Sequence, residues 1–158
     1  MMFKVGLGFD SHRLVAGRPL ILGGVNIPSV VGCQAYSDGD VLIHALIDAL
    51  LGAAGLGDIG QKFPETDPAY KNISSLELLR RVMAEIKASG LAVVNADTLV
   101  ILERPKLAPF IAQMKEHLCP LLDLRPSSLG IKAKTAEGMG EIGSGQAVEA
   151  WATVLLTG

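Results

Sequence analysis

The chain is poor in charge, almost without cysteine, and has no long apolar run. Charged residues make up 19% of its 158 positions and hydrophobic ones 49%, a balance that would leave a monomer with sizeable apolar surface in water and so points to a homo-oligomer. The net charge is only -2, with no run of five like charges and no basic stripe. The long-range attraction that nucleic acid or an anionic membrane needs is therefore missing, and neither partner is expected. Cys33 and Cys119 match no CxxC spacing and could form at most one bridge, which argues against a disulfide framework or a cysteine zinc site. No apolar stretch approaches the roughly 18 residues that cross a bilayer. The N-terminal segment has no basic region followed by an apolar core, so a cytoplasmic protein is expected.

A chain of this length fits one domain, residues 1–158. Val5 to Phe9 reads as a strand, Asp10 to Gly17 as a loop, and Leu20–Leu22 with Val25–Ile27 as a hairpin around Gly23-Gly24. Ser37-Asp38-Gly39-Asp40 opens a helix, with Ser37 as cap and the aspartates at the positive end of the dipole. From Val41 to Ala54 apolar residues run almost all round, the mark of a buried helix. Gly55 to Asn72 lacks periodicity and is long enough to suggest function. Ser74-Ser75-Leu76-Glu77 has capping-box spacing for a helix ending near Gly90. A strand within Leu91–Leu102, a helix over Lys106–Leu118, and strands at Leu129–Thr135 and Val148–Leu156 complete the reading. The expected fold is α+β, a mixed sheet covered by helices in the rough order β-β-α-α-β-α-β-β.

Asp10 and His12 lie two apart, so in an extended chain both project to one side. His44, early in the buried helix, could join them, and one carboxylate with two imidazoles would give zinc three ligands and an open fourth position. The alternative is a solvated His12 and a hydrogen-bonded core His44; spacing leaves both readings open. Asp48 stands four residues after His44, where its carboxylate could orient the imidazole. Gly6-Leu7-Gly8 resembles half of a dinucleotide fingerprint, but position 11 is Ser and no helix follows, so that reading is rejected. His117 reads as solvated. Lys132-Ala133-Lys134-Thr135-Ala136-Glu137 mixes cations, a hydroxyl and a carboxylate, which suits phosphates and a hard divalent ion or, equally, a polar strand end.

In this order the blocks Gly8-Phe9-Asp10-Ser11-His12-Arg13, Ser37-Asp38-Gly39-Asp40-Val41 with His44-Ala45 and Asp48-Ala49, Leu56-Gly57-Asp58-Ile59-Gly60 with Phe63-Pro64-Glu65-Thr66-Asp67-Pro68, and Arg104-Pro105-Lys106-Leu107 resemble the 2-C-methyl-D-erythritol 2,4-cyclodiphosphate synthase family. The resemblance covers essentially the whole chain. It implies zinc on Asp10, His12 and His44, and magnesium or manganese near Glu137. It implies a cytidine diphosphate substrate, with Asp58, Ile59 and Gly60 on the methylerythritol diol and Phe63, Pro64, Glu65, Thr66 and Asp67 nearby. Leu102, Arg104, Pro105, Lys106, Leu107, Ala108, Lys134 and Thr135 would hold the cytidine and its phosphates. Asp10, Ser11, His12, Tyr36 and Ser37 would also touch substrate, and Thr135 and Tyr36 would serve in catalysis. A homotrimer with sites at subunit interfaces is implied.

Three departures from the family pattern stand out. Tyr36 occupies a position that is often His, which removes a cationic role while leaving a hydrogen-bond donor. After Thr135 the frequent Thr-Glu-Lys reads Ala136-Glu137-Gly138, keeping the glutamate. The frequent Gly-Arg-x-Glu-Gly reads Gly143-Ser144-Gly145-Gln146-Ala147. Without that arginine, no isoprenoid diphosphate is expected on the trimer axis.

Overall fold

The first strand runs well past the segment read from sequence: β1 spans Phe3–Ala16 in a computed structural model that describes every residue from Met1 to Gly158. The expected loop at Asp10–Gly17 is therefore largely strand. Its partners lie far away in sequence, which is why local composition does not reveal it: β7 (Ala147–Thr157) pairs with β1 as far as Arg13, and β4 (Val31–Cys33) takes over from Leu14 to Ala16.

β1 alternates. Gly6, Gly8, Asp10, His12 and Leu14 face one side, while Phe3, Val5, Leu7 and Phe9 face the other and are exposed. The inner side receives α1 (Val41–Ala54), in which eleven of fourteen residues are buried. Each large aliphatic side chain so buried contributes roughly 1.5–3 kcal/mol. A Cβ built on Gly6 would lie 1.9 Å from the carbonyl oxygen of Ala49, and one on Gly8 1.8 Å from that of Ala45. The two glycines thus let helix and strand meet backbone to backbone.

β2 (Leu20–Leu22) and β3 (Val25–Ile27) form a separate hairpin, with Gly23 and Gly24 at φ 58° and 74°, the left-handed values that a two-residue turn demands. The cap of α1 is Asp40, not Ser37. Its carboxylate accepts from the Ile43 amide inside the helix and from the Gly23 and Gly24 amides of the hairpin turn, at 3.1, 3.0 and 2.7 Å. Three donors, two of them buried, outcompete a local cap.

The segment Gly55–Asn72 contains a one-turn helix, α2 (Ile59–Lys62), and a 3-10 turn at Pro68–Tyr70. Helix α3 (Ser75–Ala88) starts where expected, but the capping box does not form: Ser74 makes no side-chain cap, and Glu77 pairs with Arg80 and Arg81. Asp38 caps this helix from outside by accepting from the Ser75 amide. β5 (Ala92–Ile101) leads through a 3-10 turn at Ala108–Phe110 into α4 (Ile111–Leu122), which begins later and ends later than the Lys106–Leu118 read from sequence. β6 (Leu129–Lys134), the short α5 (Gly140–Gly143) and β7 follow.

The main sheet has the order β4-β1-β7-β5-β6, with β5 and β6 parallel and the other pairs antiparallel. It is the mixed α+β sheet expected, with one contiguous core of 36 buried residues between sheet and helices. His117, expected to be solvated, is half-buried beside Gly24, and its ring Nδ1 has no hydrogen-bond partner.

Candidate active site

Asp10 and His12 leave the inner face of β1 where it passes the start of α1, and the flush packing at Gly8 brings His44 to meet them. Asp10 Oδ2 lies 3.0 Å from His12 Nε2 and 2.9 Å from His44 Nδ1, and the two ring nitrogens are 3.2 Å apart. Tetrahedral zinc with ligands at about 2.0–2.1 Å needs ligand-to-ligand edges of roughly 3.3 Å. One carboxylate oxygen and two imidazole nitrogens at nearly that spacing fit the metal in both chemistry and size. Of the two readings of the histidines that spacing leaves open, convergence is the one the fold produces.

The charges are tightly coupled. Burial would raise the Asp10 carboxyl, but hydrogen bonds from His12 and His44 and their charge outweigh it and hold Asp10 down at about 2. For His44 burial favours the neutral ring, while the hydrogen bond and charge of Asp10, with the charges of Asp40 and Asp38, prevail and raise it. Asp40 is pushed up to about 6 by burial and by Asp38, against the pull of the Gly24 and Ile43 amides.

The far nitrogen of His44, Nε2, lies 2.8 Å from Ser75 Oγ and 3.2 Å from Ser37 Oγ. Asp48 does not orient this ring, contrary to expectation. Its carboxylate accepts from the Ile59 amide at 2.8 Å, because α2 folds back over α1 and supplies a free helix-start donor. Asp48 thereby positions Ile59 and Gly60. Burial pushes its carboxyl up, partly offset by that amide.

A cleft beside the three converging side chains is lined by Tyr36, Ser37, Ile59, Gly60, Phe63 and Glu65, among others. Phe63 and Tyr70 meet edge to face across it, ring centroids 5.3 Å apart. Tyr36 donates its hydroxyl to the Asp67 carbonyl oxygen at 3.2 Å. Asp58 and Asp67 serve as caps, of α2 and of the Pro68 turn, and with Pro64 and Thr66 they shape the loop rather than line the cleft. Ser11, next to Asp10 in the strand, points to the opposite side and borders a cleft with His12, Arg13, Glu141 and Glu149.

The second group of expected contacts stands apart. Leu102, Pro105, Lys106, Leu107, Ala108, Lys134 and Thr135 line another cleft, and Arg104 borders a third with Pro105 and Lys106. None of these clefts includes the triad. Glu137 is exposed at φ 53°, its carboxylate 3.1 Å from the Thr135 hydroxyl that donates to it. Glu103, unremarked in the sequence, accepts from the Ala136 and Gly138 amides and so pins the turn that carries Glu137. Ser75 was also missed, read only as part of a capping box. Its signal was the position at a helix start facing a histidine, which sequence spacing does not encode.

Residues 3–157 match the model of the YgbB family. A 2-C-methyl-D-erythritol 2,4-cyclodiphosphate synthase of Pelotomaculum thermopropionicum is 52% identical over 153 residues, 97% of this chain and 94% of that one. Among solved structures, a 2C-methyl-D-erythritol-2,4-cyclodiphosphate synthase in a CDP-bound form superposes with a TM-score of 0.90 at 45% identity, covering 98% of this chain and 100% of that one. The bifunctional IspDF of Campylobacter jejuni superposes with a TM-score of 0.93 at 41% identity, covering 98% of this chain and 42% of that longer one.

Proposed function

Since this chain belongs to the YgbB family, we propose that it is a 2-C-methyl-D-erythritol 2,4-cyclodiphosphate synthase, an enzyme of isoprenoid-precursor synthesis. Its substrate is then 4-diphosphocytidyl-2-C-methyl-D-erythritol 2-phosphate. The 2-phosphate oxygen attacks the β-phosphorus of the same molecule, the bond to CMP breaks, and the cyclic diphosphate and CMP leave. That makes it a phosphorus-oxygen lyase. The observation that carries the reading is the convergence of Asp10, His12 and His44 in a chain matched along its whole length.

The nucleophile is already anionic, so the chain needs no strong general base. What it must do is bring two anionic ends together and bend a flexible polyol into line, and such preorganisation can supply roughly 7–11 kcal/mol in favourable systems. Zinc held by Asp10, His12 and His44, with magnesium or manganese near Glu137, supplies charge neutralisation and Lewis acidity when bound. Ile59 and Gly60, held by Asp48, receive the diol; Glu65 and Phe63 close the cleft around it. Lys134, Thr135, Lys106 and the Leu102–Ala108 segment hold the cytidine and phosphates. The Tyr36 hydroxyl is committed to Asp67 and the Thr135 hydroxyl to Glu137, so Tyr36 acts by shaping the loop and Thr135 by holding the Glu137 carboxylate.

The assembly is read as a homotrimer of one-domain chains, residues 1–158, in the cytoplasm, with each site shared between neighbours. Two observations support this. The triad cleft and the Lys134 cleft are separate within one chain. On the outer face of β1, Phe3, Val5, Leu7 and Phe9 stand in a row, with Trp151 opposite Phe9 and their ring centroids 4.5 Å apart, an apolar strip that a neighbouring subunit would cover. No helix is long and apolar enough to cross a membrane. Phosphorus NMR of the purified protein with substrate tests the activity: a cyclic diphosphate and CMP are expected. A linear product carrying labelled oxygen from solvent would instead mark a hydrolase.

A further inference from the structure

We propose that Ser75 and Asp38 are positioning residues that select which nitrogen of His44 faces the metal centre, an inference that rests on the zinc reading above. The chain of contacts is short and directional. Ser75, fully buried, gives its single hydroxyl proton to Asp38 Oδ1. Its lone pairs are then what His44 Nε2 meets at 2.8 Å, so Nε2 must be the nitrogen that carries hydrogen. Nδ1 faces Asp10 and His12, donating to the Asp10 carboxylate in the metal-free chain, and is the nitrogen that would give up its proton to a metal while Ser75 keeps hydrogen on Nε2. Ser37 Oγ, which already accepts from the Gly39 amide, stands at 3.2 Å from Nε2 and is the lesser acceptor.

Asp38 is itself fixed. It accepts from the Ser75 amide at 2.8 Å and from the Asp40 amide at 3.1 Å, so its carboxylate joins the loop before α1 to the first turn of α3. A carboxylate behind a hydroxyl behind an imidazole orients the ring and makes the ligating nitrogen more basic, as partners behind metal-bound histidines generally do. Removing the Ser75 hydroxyl leaves the amide-to-Asp38 bond in place, so the Ser75→Ala chain keeps its α3 start.

The experiment compares wild type, Ser75→Ala and Ser75→Thr by zinc competition against a chromophoric chelator and by long-range 15N–1H NMR of the His44 ring. Expected are an Nε2–H tautomer and tight zinc in wild type, a loss of roughly 10–100-fold in zinc affinity in Ser75→Ala, and recovery in Ser75→Thr, which restores the hydroxyl. Wild-type affinity and tautomer in Ser75→Ala would overturn the proposal. So would equal losses in Ala and Thr accompanied by equal drops in melting temperature, which would mark packing alone. Should wild type take up no zinc, the metal reading fails by itself. The relay is then decided in the metal-free protein, where a slowly exchanging Nε2–H present in wild type and lost in Ser75→Ala upholds it and an unchanged signal refutes it.

Discussion

Gly8 and Ala45 are in backbone contact: a Cβ added to the glycine would stand 1.8 Å from the alanine carbonyl oxygen. Two and four residues further along β1 come Asp10 and His12, and one residue before Ala45 comes His44. The distance between helix and strand therefore sets the distance between the three converging side chains. Gly8→Ala should push α1 away, because the obstacle is backbone and cannot rotate aside. Overpacking of this kind costs typically about 1–3 kcal/mol; the variant should lose at least that in urea unfolding and retain little zinc by elemental analysis. Wild-type stability and metal content would contradict the geometry.

His44→Ala should lose both zinc and turnover while unfolding cooperatively, since α1 keeps its other buried side chains. Chelator treatment of the wild type should likewise abolish turnover, and added zinc should restore it. Unchanged metal content in the variant would remove His44 from the centre.

Native mass measurement should find three copies of the 16.6 kDa chain. Leu7→Glu places a charge in the middle of the exposed row on β1 and should yield monomers that bind zinc yet do not turn over. A wild-type monomer that turns over would count against the shared site.

Both thiols should be silent in the native protein. Cys33 is fully buried, and burial, with the nearby charges of Asp40 and Asp10, pushes its thiol up to about 12; Cys119 is also raised by burial. A thiol reagent at pH 8 should label neither until denaturant is added, when it should label two. The sign for stability follows: a thiol raised from 9.0 to about 12 contributes stability that is fully present below pH 9 and lost as pH rises toward 12. Thermal melts should show wild type declining more steeply over that window than Cys33→Ala, which starts lower.

Legibility in the sequence divided along physical lines. The buried helix at Val41–Ala54 was plain because its apolar residues run all round, and Asp10 with His12 was visible through the period of a strand. Whatever depended on partners distant in sequence was hidden. The length of β1 came from β7 and β4, the true cap of α1 from its reach to the Gly23–Gly24 turn, and the support of His44 from Ser75 on another helix. Gly6-Leu7-Gly8, dismissed as half a nucleotide motif, turned out to set the approach of helix to strand. Asp48 shows the limit of helical spacing as a guide. It does sit near His44 in the chain, but a free amide at Ile59 claimed it first.

The separation of the triad cleft from the Lys134 cleft has a consequence for genetics. In the proposed ring, a chain spoiled at His44 and a chain spoiled at Lys134 can each lend the other its sound half. Refolded together, two inert preparations should regain part of the activity that neither has alone, and a cell carrying both damaged copies could grow where either by itself could not.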